Sequence, residues 1–338
     1  MAERRGEISD FLARSGWGAA DRRHLAGDAS DRRYERLRLG AATAVLMDNP
    51  PGGADDPAAF ATMARHLRLL GLSAPAILAE DLSQGLLLLE DLGDDLFARL
   101  LTADPLREDE LYAPAVDVLL HLHSAPPPSG LPNLSAEDWA KAAGFALDWY
   151  AFAATGTAPD GAAFQAALTA ALTTYADGPR VLILRDFHAE NLLWLPGREG
   201  LARVGLLDFQ LGQLGQPGYD LVSLLQDARR DVEPGTEAAM VARFAAARGE
   251  DPEQFAAHYA TLGAQRALRI LGVFARLCLV AGKPHYLRLI PRVWGQLQQN
   301  LAHPALSDLR RICDRVLPAP TPEILQKIEA QCPTIPSR

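Results

Sequence analysis

The sequence predicts an α+β protein with two lobes, a small antiparallel-sheet lobe over residues 1–92 and a mainly helical lobe over residues 93–338. Short apolar runs separated by turn-forming residues characterise the first part, whereas apolar residues at helical spacing characterise most of the second. The chain has 338 residues, of which 49% are hydrophobic. That is enough to build a sizeable core in two lobes that share a cleft.

The first ninety residues contain the elements of a small sheet and its helices. In order, the predicted elements are a helix over 5–20, a hairpin with its turn at 27–30, a strand over 43–47, a helix over 57–70, and strands over 76–78 and 86–89. The second helix has Phe60, Met63 and Leu67 at helical spacing and stops at Gly71. An antiparallel sheet with one main helix is therefore expected before residue 93.

Helical periodicity dominates the rest of the chain. Consecutive prolines between residues 125 and 132 predict a rigid connector, because proline does not continue a helix. A proline-rich tail is expected after residue 316. The predicted helices cover 107–123, 136–154, 160–176, 219–229, 236–248, 252–281, 284–302 and 305–316, and short strands are predicted at 181–184, 191–195 and 203–207.

Composition argues against a polyanionic or membrane partner. The formal net charge is −9, whereas binding to nucleic acid or to an anionic membrane needs a clustered basic surface. The longest uncharged run, Gly161–Ala176, is too short to span a bilayer. We therefore expect no nucleic acid and no membrane partner. A monomer is the favoured oligomeric state.

Cysteine usage and the N-terminal segment point to a reducing compartment. Cys278, Cys313 and Cys332 lie far apart without C-x-x-C spacing, so the sequence indicates neither a zinc site nor a disulfide framework. The segment MAERRGEISDFLARSG lacks the apolar region of a signal peptide. Reduced thiols and a cytoplasmic location are expected.

The central stretch carries the residues typical of phosphoryl transfer. LILRDFHAENLLWL, at 182–195, contains Asp186 and, five positions later, Asn191, and VGLLDFQ at 204–210 contains Asp208. One carboxylate can receive the proton of an attacking hydroxyl, while an amide and a carboxylate hold Mg2+ bound to nucleotide phosphates. A D-x-x-x-x-N pattern alone arises by chance about once in a chain of this length. Because Asp and Asn favour turns, plain turn formation is the alternative.

A second candidate site is the predicted hairpin around residues 27–30. Its tip offers backbone N–H groups, the hydroxyl of Ser30 and the nearby guanidinium groups of Arg32 and Arg33. Such groups match phosphate oxygens, so the tip is a candidate cover for nucleotide phosphates. An ordinary surface hairpin is the alternative, and these residues alone do not decide between the two.

Several motifs in the correct order resemble one known family. LRDFHAEN followed by LLDFQ resembles the catalytic loop and metal motif of the aminoglycoside phosphotransferase family of kinase-like enzymes, which commonly read H-x-D-x-H-x-x-N and D-[FW]. LLLLEDLG at 86–93 is similar to that family's hinge, LLHLHS at 119–124 to the helix before its catalytic loop, and GYDLVSLL at 218–225 to the helix after it. The resemblance implies a bilobal protein-kinase-like fold and ATP as phosphate donor.

The resemblance also implies roles for the matching residues of the central stretch. Asp186 is expected to be the catalytic base. Asn191 and Asp208 are expected to be the ligands of Mg2+. Asp220 is expected to brace the catalytic loop, which is a structural task.

The predicted hinge follows the family pattern, but two other positions depart from it. The backbone of Glu90, Asp91 and Leu92 is expected to contact adenine. Met47 lies near the strand position where most kinases have a phosphate-binding lysine, and Leu184 stands where the histidine of the catalytic loop is usual. We expect Arg32 or Arg33 to supply the missing positive charge, and Leu184 to affect loop packing more than chemistry.

Within the family, GDASDRRYERL, VLMDNPP and LDFQLGQLGQPGYDLVSLLQDA most resemble bacterial anomeric sugar kinases. This resemblance implies phosphorylation of N-acetylmuramate and N-acetylglucosamine at the C1 hydroxyl during cell-wall recycling. A kinase for another acceptor, such as an aminoglycoside, choline or homoserine, is the first alternative. A non-catalytic nucleotide-binding regulator is the second, because the usual lysine is absent.

Overall fold

The structure is a computed structural model that describes residues 2–26, 32–52 and 56–333. Its strands are Asp21–Ala26 (β1), Arg33–Leu39 (β2), Ala42–Asp48 (β3), Ile77–Asp81 (β4), Leu86–Glu90 (β5), Val181–Ile183 (β6), Leu192–Trp194 (β7), Val204–Leu206 (β8) and Gln213–Gly215 (β9). Its helices are Ala2–Arg14 (α1), Pro57–Leu69 (α2), Phe97–Ala103 (α3), Glu108–Ser124 (α4), Ala136–Ala143 (α5), Phe152–Thr155 (α6), Ala162–Tyr175 (α7), Tyr219–Leu225 (α8), Pro234–Arg248 (α9), Pro252–Leu279 (α10), Ile290–Leu301 (α11), Ser307–Val316 (α12) and Pro322–Glu329 (α13). This mixture confirms the predicted α+β class.

The chain divides into two compact units. The first unit comprises Met1–Pro128 and Ala189–Gly212, and the second comprises Ser129–His188 and Gln213–Arg338. The predicted lobes, 1–92 and 93–338, have a different boundary. That the first lobe covers the nucleotide and the second binds the acceptor stays a prediction.

The first unit is built on the five-stranded antiparallel sheet that the sequence predicts, with strand order β1-β2-β3-β5-β4. The predicted turn at 27–30 lies outside the described residues, while the strands on either side of it form the expected hairpin. The apolar face of α1, formed by Ile8, Phe11 and Leu12, packs in one buried cluster with strand residues such as Leu46 and Leu88. Burial of such side chains drives formation of this layer.

Helix α2 begins where the sequence predicts it. Asp56 is the N-cap, its side chain accepts a hydrogen bond from the backbone N–H of Ala58, and Pro57 occupies the first turn. Both features favour a helix start, because the cap satisfies an N–H group that lacks an intrahelical partner. Phe60 and Met63 are buried on one face of the helix. They fill the core of the first unit.

The second unit is organised around α10, which has 28 residues. Asp251 caps its start by accepting hydrogen bonds from the N–H groups of Glu253 and Gln254. Its buried face includes Leu268, Leu271 and other residues that pack against the neighbouring helices of the same unit. Neither α10 nor any other helix among the described residues combines the length and the apolar character needed to cross a bilayer.

The predicted helix over 136–154 is interrupted in the structure. Helix α5 ends at Ala143, a π-helical turn follows at Ala146–Ala151, and α6 completes the segment. The backbone carbonyl of Phe145 approaches α10 so closely that a Cβ at Gly272 would lie 2.2 Å from it. This close approach requires a glycine that is far away in sequence, which local periodicity does not reveal.

Further features were missed or wrongly predicted. The proline-rich tail contains helix α13, and β9 pairs with β6 although no strand was predicted there. The expectation of unpaired cysteines was wrong, because Cys278 and Cys332 form a disulfide with their Cα atoms 5.2 Å apart. Their separation of 54 residues hides this proximity, which arises because α13 packs beside α10. Cys313 is buried and free.

Candidate active site

Asn191 and Asp208 lie at the same end of a β-hairpin. Strands β7 and β8 pair antiparallel with Leu192 opposite Leu206, so the residue before β7 and the segment after β8 are neighbours. The backbone N–H of Leu207 donates to the carbonyl of Asn191 at 2.9 Å. The predicted hairpin that brings Asp208 beside Asn191 is therefore confirmed.

Asp208 has an unusual backbone conformation. Its φ is +55°, a region that non-glycine residues rarely adopt and that occurs often at functional sites. The next residue, Phe209, is fully buried and stacks on Phe60 with ring centroids 5.0 Å apart. One carboxylate oxygen of Asp208, Oδ1, accepts hydrogen bonds from Arg32 Nη2 at 3.1 Å and from Gln210 Nε2 at 2.8 Å. The packing and these bonds hold a carboxylate that is still 40% exposed.

A cavity of about 350 Å³ in the first unit contains both predicted metal ligands. Its volume lies within the range typical of small-molecule sites. Apolar side chains on its walls suit a planar base, while acidic and amide groups cluster on other parts of its surface. The lining residues are Leu25, Tyr34, Arg36, Val45, Phe60, Pro75, Leu89, Glu90, Asp91, Leu92, Gly93, Asp94, Leu96, Arg99, Glu190, Asn191, Leu193, Leu207 and Asp208.

The three predicted hinge residues also line this cavity, but two of their side chains are engaged elsewhere. Glu90 Oε1 accepts from Arg198 Nη2 at 2.5 Å, and Glu90 Oε2 accepts from the backbone N–H of Ala76 at 3.1 Å. The carboxylate of Asp91 is paired with Arg36 at 2.9 Å. These ion pairs hold the segment in place. The adenine contact predicted for the backbone of this segment, ending at Leu92, stays a prediction.

The two candidate phosphate-binding arginines differ in their surroundings. Arg32 is 8% exposed, and besides Asp208 it contacts the hydroxyl of Tyr34 through Nη1 at 3.3 Å. Arg33 is exposed. Neither arginine lines the cavity itself. Ser30 lies outside the described residues. The structure thus brings one of the three predicted phosphate contacts to a predicted metal ligand.

The predicted catalytic loop belongs to the second unit, where Asp220 holds its backbone. Asp220 Oδ2 accepts from the N–H of Leu184 at 2.5 Å, and Oδ1 accepts from the N–H of Arg185 at 2.8 Å. Arg185 has a φ of +71°, and its carbonyl accepts a hydrogen bond from Ser223 Oγ at 3.1 Å. The expected bracing role of Asp220 is confirmed. The loop presents a half-buried Asp186 from a fixed backbone.

Burial perturbs two ionisable groups in this region. The pKa of Asp220 is raised to about 7, chiefly because its charge is fully buried, and also because the Asp186 charge is near. The two accepted N–H bonds and the charge of Arg266 act in the opposite direction. Burial, followed by the charge of Arg229, holds the pKa of His188 well below its usual value. His188 is therefore a neutral side chain at physiological pH.

The two departures from the family pattern have different structural settings. Met47 is fully buried on β3, between Tyr34 of β2 and Leu87 of β5. The lysines of the chain are Lys141, Lys283 and Lys327, all outside the first unit. Positive charge for phosphates in the first unit must therefore come from arginine or histidine. Leu184 is buried, and its N–H is the one that Asp220 binds, so the loop packs without the usual histidine.

The donor groups of Asn191 and Asp208 fit Mg2+. An amide oxygen and a carboxylate are hard oxygen ligands, which this ion prefers, and it normally retains water and substrate phosphates as its other ligands. Among the described residues, no group of three or more His, Cys, Asp or Glu side chains could hold a metal ion. A metal at this hairpin would therefore depend on the nucleotide for part of its coordination.

Three residues of the site were not singled out from the sequence. Gln210 follows the Asp-Phe pair directly, so its proximity to Asp208 was the easiest to foresee. Arg36 bonds the hinge carboxylate of Asp91, and its place in the alternating β2 pattern gave only a weak signal. Arg198 reaches Glu90 from a loop after β7, which no motif marks.

Comparison with known proteins gives consistent matches. The family model described as "Phosphotransferase enzyme family" (APH) matches residues 21–258. An N-acetylmuramate/N-acetylglucosamine kinase from Caulobacter vibrioides is 40% identical, over 95% of this chain and 98% of its own length.

Solved structures of kinases share the fold. A microcompartment-associated aminopropanol kinase has a TM-score of 0.62 at 17% identity, covering 90% of this chain and 98% of its own. An aminoglycoside phosphotransferase, APH(4)-Ia, solved as a ternary complex with AMP-PNP and hygromycin B, has a TM-score of 0.57 at 15% identity, covering 88% of this chain and 99% of its own.

Proposed function

Because the chain belongs to the phosphotransferase enzyme family, we propose that it transfers the γ-phosphate of ATP to the anomeric C1 hydroxyl of N-acetylmuramate or N-acetylglucosamine. Membership confirms the predicted resemblance and makes the chain a phosphotransferase with an alcohol group as acceptor. The observation that carries the amino sugar is the 40% identity to a kinase of that name across nearly the whole chain.

The cavity of the first unit is the proposed nucleotide site. Its apolar walls suit adenine, and the backbone of Glu90, Asp91 and Leu92 is the proposed contact for the base edge. Asn191 and Asp208 would hold Mg2+, which would neutralise charge on the phosphate oxygens. Their shared position at one end of the β7/β8 hairpin supports this assignment.

Asp186 is the proposed catalytic base. Phosphoryl transfer from ATP depends mostly on positioning, so the carboxylate that receives the hydroxyl proton has to be held in place. The hydrogen bonds from Leu184 and Arg185 to Asp220 supply that rigidity one and two residues before Asp186. Loss of the carboxylate should remove turnover while leaving nucleotide binding largely intact.

Arg32 is the proposed substitute for the phosphate-binding lysine. It is the guanidinium that reaches Asp208, and the first unit contains no lysine. The fork geometry of arginine matches phosphate oxygens. Ser30 and Arg33 complete the proposed phosphate contact of the hairpin, with Arg33 in the minor role because its side chain is exposed.

A pair of variants tests the role of Arg32. Arg32→Ala removes hydrogen bonds to charged groups, each contributing about 1.5–3 kcal/mol, so the affinity for Mg2+–ATP should fall by roughly 10- to 150-fold. Arg33→Ala is the matched control, and it should change this affinity by less than about threefold. Isothermal titration calorimetry with AMP-PNP and Mg2+ measures both. Equal losses in the two variants, or none in either, would contradict the assignment.

Acceptor panels separate the proposed function from its alternatives. Transfer to the C1 hydroxyl of an amino sugar supports the proposal, and transfer only to choline, homoserine or an aminoglycoside supports a different acceptor. Nucleotide binding without transfer to any compound supports a regulator. As part of the proposal, the enzyme acts in the cytoplasm, because the ATP it would consume is a cytoplasmic metabolite. A monomer is also part of the proposal.

A further inference from the structure

The second unit contains a polar cavity of about 260 Å³. This volume lies just below the range of roughly 300–1,000 Å³ that holds drug-sized ligands, so it suits a compound of monosaccharide size. Most of its lining side chains are amides or charged groups. The lining residues are Leu225, Gln226, Asp231, Val232, Glu237, Arg292, Gly295, Gln296 and Gln299.

Hydrogen bonds connect the wall of this cavity to the catalytic loop. Ser223 Oγ donates to the carbonyl of Arg185, the residue before Asp186. The buried Arg266 donates to Ser223 Oγ at 2.8 Å and to the carbonyl of Gln226 at 3.4 Å. One buried guanidinium therefore fixes both the support of the loop and a residue that lines the cavity.

The polar side chains of the cavity are held in place before any ligand binds. Gln226 and Asn300 exchange two hydrogen bonds through their amide groups, at 3.1 and 2.8 Å. Glu237 Oε1 accepts from Gln226 Nε2 at 3.2 Å and from the hydroxyl of Tyr259 at 2.8 Å. Both bonds end on the same oxygen, so Oε2 accepts no hydrogen bond from the described residues. It is available to a ligand hydroxyl.

Charge in the cavity is nearly balanced. Arg292 donates to both carboxylate oxygens of Asp231, at 2.6 and 3.0 Å, and this fork neutralises the pair. Gln296 Nε2 donates to the carbonyl of Asp227, which anchors that amide to the loop after α8. Glu237 is thus the one lining charge without an opposite partner among the described residues, and it favours a ligand that donates from hydroxyl groups.

We propose that this cavity binds the acceptor sugar, with Glu237 and Gln296 as specificity-determining residues. The inference rests on the proposed kinase function. A carboxylate accepts the hydrogens of adjacent sugar hydroxyls, and amide side chains complement an N-acetyl group, which has one donor and one acceptor. Because Glu237 is negative, it favours the neutral N-acetylglucosamine over the carboxylate-bearing N-acetylmuramate.

Steady-state kinetics of three variants test this site. Glu237→Ala should raise the KM for N-acetylglucosamine by roughly 10- to 150-fold, because a hydrogen bond to a charged group is lost. Gln296→Ala should raise it by roughly 2- to 13-fold, the range for a neutral bond. Gln298→Ala, on the same helix but outside the cavity, is the control with an unchanged KM. The KM for ATP should stay constant in all three.

Two further readouts distinguish the site from a structural role. Calorimetric titration of N-acetylglucosamine without nucleotide should show a larger loss of sugar affinity in Glu237→Ala than in Gln296→Ala, and no loss in Gln298→Ala. Glu237→Gln keeps the shape and removes the charge, so it should raise the kcat/KM for N-acetylmuramate relative to that for N-acetylglucosamine. An unchanged ratio, or a sugar KM unaffected in both Glu237→Ala and Gln296→Ala, overturns the assignment of the cavity.

The outcome for the unaltered enzyme separates this inference from the proposed function. If the wild-type chain phosphorylates amino sugars while these variants keep a normal sugar KM, the kinase function stands and the cavity is the wrong site. If the wild-type chain phosphorylates no amino sugar, the proposed function fails first and the acceptor site fails with it.

Discussion

Replacing Asp220 with asparagine tests how the proposed catalytic loop is held. The carboxylate is completely buried and accepts the N–H groups of Leu184 and Arg185. Asparagine keeps the shape and one acceptor oxygen, but its NH2 group then faces a backbone N–H. The lost hydrogen bond should cost about 1–3 kcal/mol in the free energy of unfolding.

The pKa of Asp220 adds a dependence on pH with a defined sign. It is about 7 in the folded chain and 3.8 ordinarily. Between these values the folded protein keeps a proton that the unfolded chain has released, so the wild type loses stability as pH rises. The loss totals about 4 kcal/mol over that window and is constant above it. Asparagine does not ionise, so the variant lacks this loss.

The difference in stability between the variant and the wild type should therefore change sign or shrink with pH. We expect the variant to be less stable at pH 4.5 and nearly equal to, or more stable than, the wild type at pH 8. Urea unfolding followed by circular dichroism at several pH values measures this difference, and Asp314→Asn, on the exposed surface of α12, is the control. A difference that is independent of pH, or that grows as pH rises, would refute the reasoning.

Three more changes test individual contacts. Arg36→Ala removes the ion-pair partner of Asp91 in the proposed hinge. It should raise the KM for ATP several-fold without changing the KM for the sugar. An unchanged KM for ATP would contradict the proposed role of Arg36 in holding the hinge. His188→Gln removes a buried imidazole whose lowered pKa makes the wild type lose stability as pH falls below about 6.5. In thermal melts, the stability of the variant relative to the wild type should therefore be higher at pH 5 than at pH 7. A relative stability that does not change between these pH values would contradict the cause given. Thiol titration of the unfolded protein without reductant should detect one of the three cysteines, because Cys278 and Cys332 are paired. Three reactive thiols would show that this disulfide does not form.

The sequence was sufficient to predict features that depend on local pattern. Sheet strands were found because their apolar runs are short and end in turns. Helix α2 was found because Phe60, Met63 and Leu67 recur at helical spacing before Gly71. The proximity of Asn191 and Asp208 was predictable because two short strands joined by a short linker pair as a hairpin. Asp220 was assigned its bracing role through family resemblance, and its hydrogen bonds agree.

Features created by contacts between distant segments were not predictable. Cys278 and Cys332 meet because α13 packs beside α10, and the close approach of Phe145 to α10 depends on the space left by Gly272. The ion pair between Arg198 and Glu90 joins positions 108 residues apart. No periodicity in the sequence encodes such contacts. Arg198 and Glu90, for example, each look like an ordinary surface charge in the sequence.

The same reason explains the unexpected cavity in the second unit. Its walls come from the loop after α8 and from α9 and α11, and the polar residues of each element resemble a solvated helix face in sequence. The proposed role of Glu237 and Gln296 depends on the hydrogen bonds between Gln226 and Asn300, which the sequence does not reveal. The proposed acceptor site was therefore beyond the reach of motif-based reasoning.

The most direct test of the central claim is the product formed from ATP, Mg2+ and N-acetylglucosamine or N-acetylmuramate, identified by phosphorus NMR. The proposed function predicts that the wild type forms a sugar 1-phosphate. In Asp186→Ala the rate of its formation should fall by roughly 10²- to 10⁴-fold, while the affinity for AMP-PNP is retained. Normal turnover in that variant would contradict the role of Asp186. Phosphate on another hydroxyl, or on no amino sugar at all, would contradict the proposed reaction.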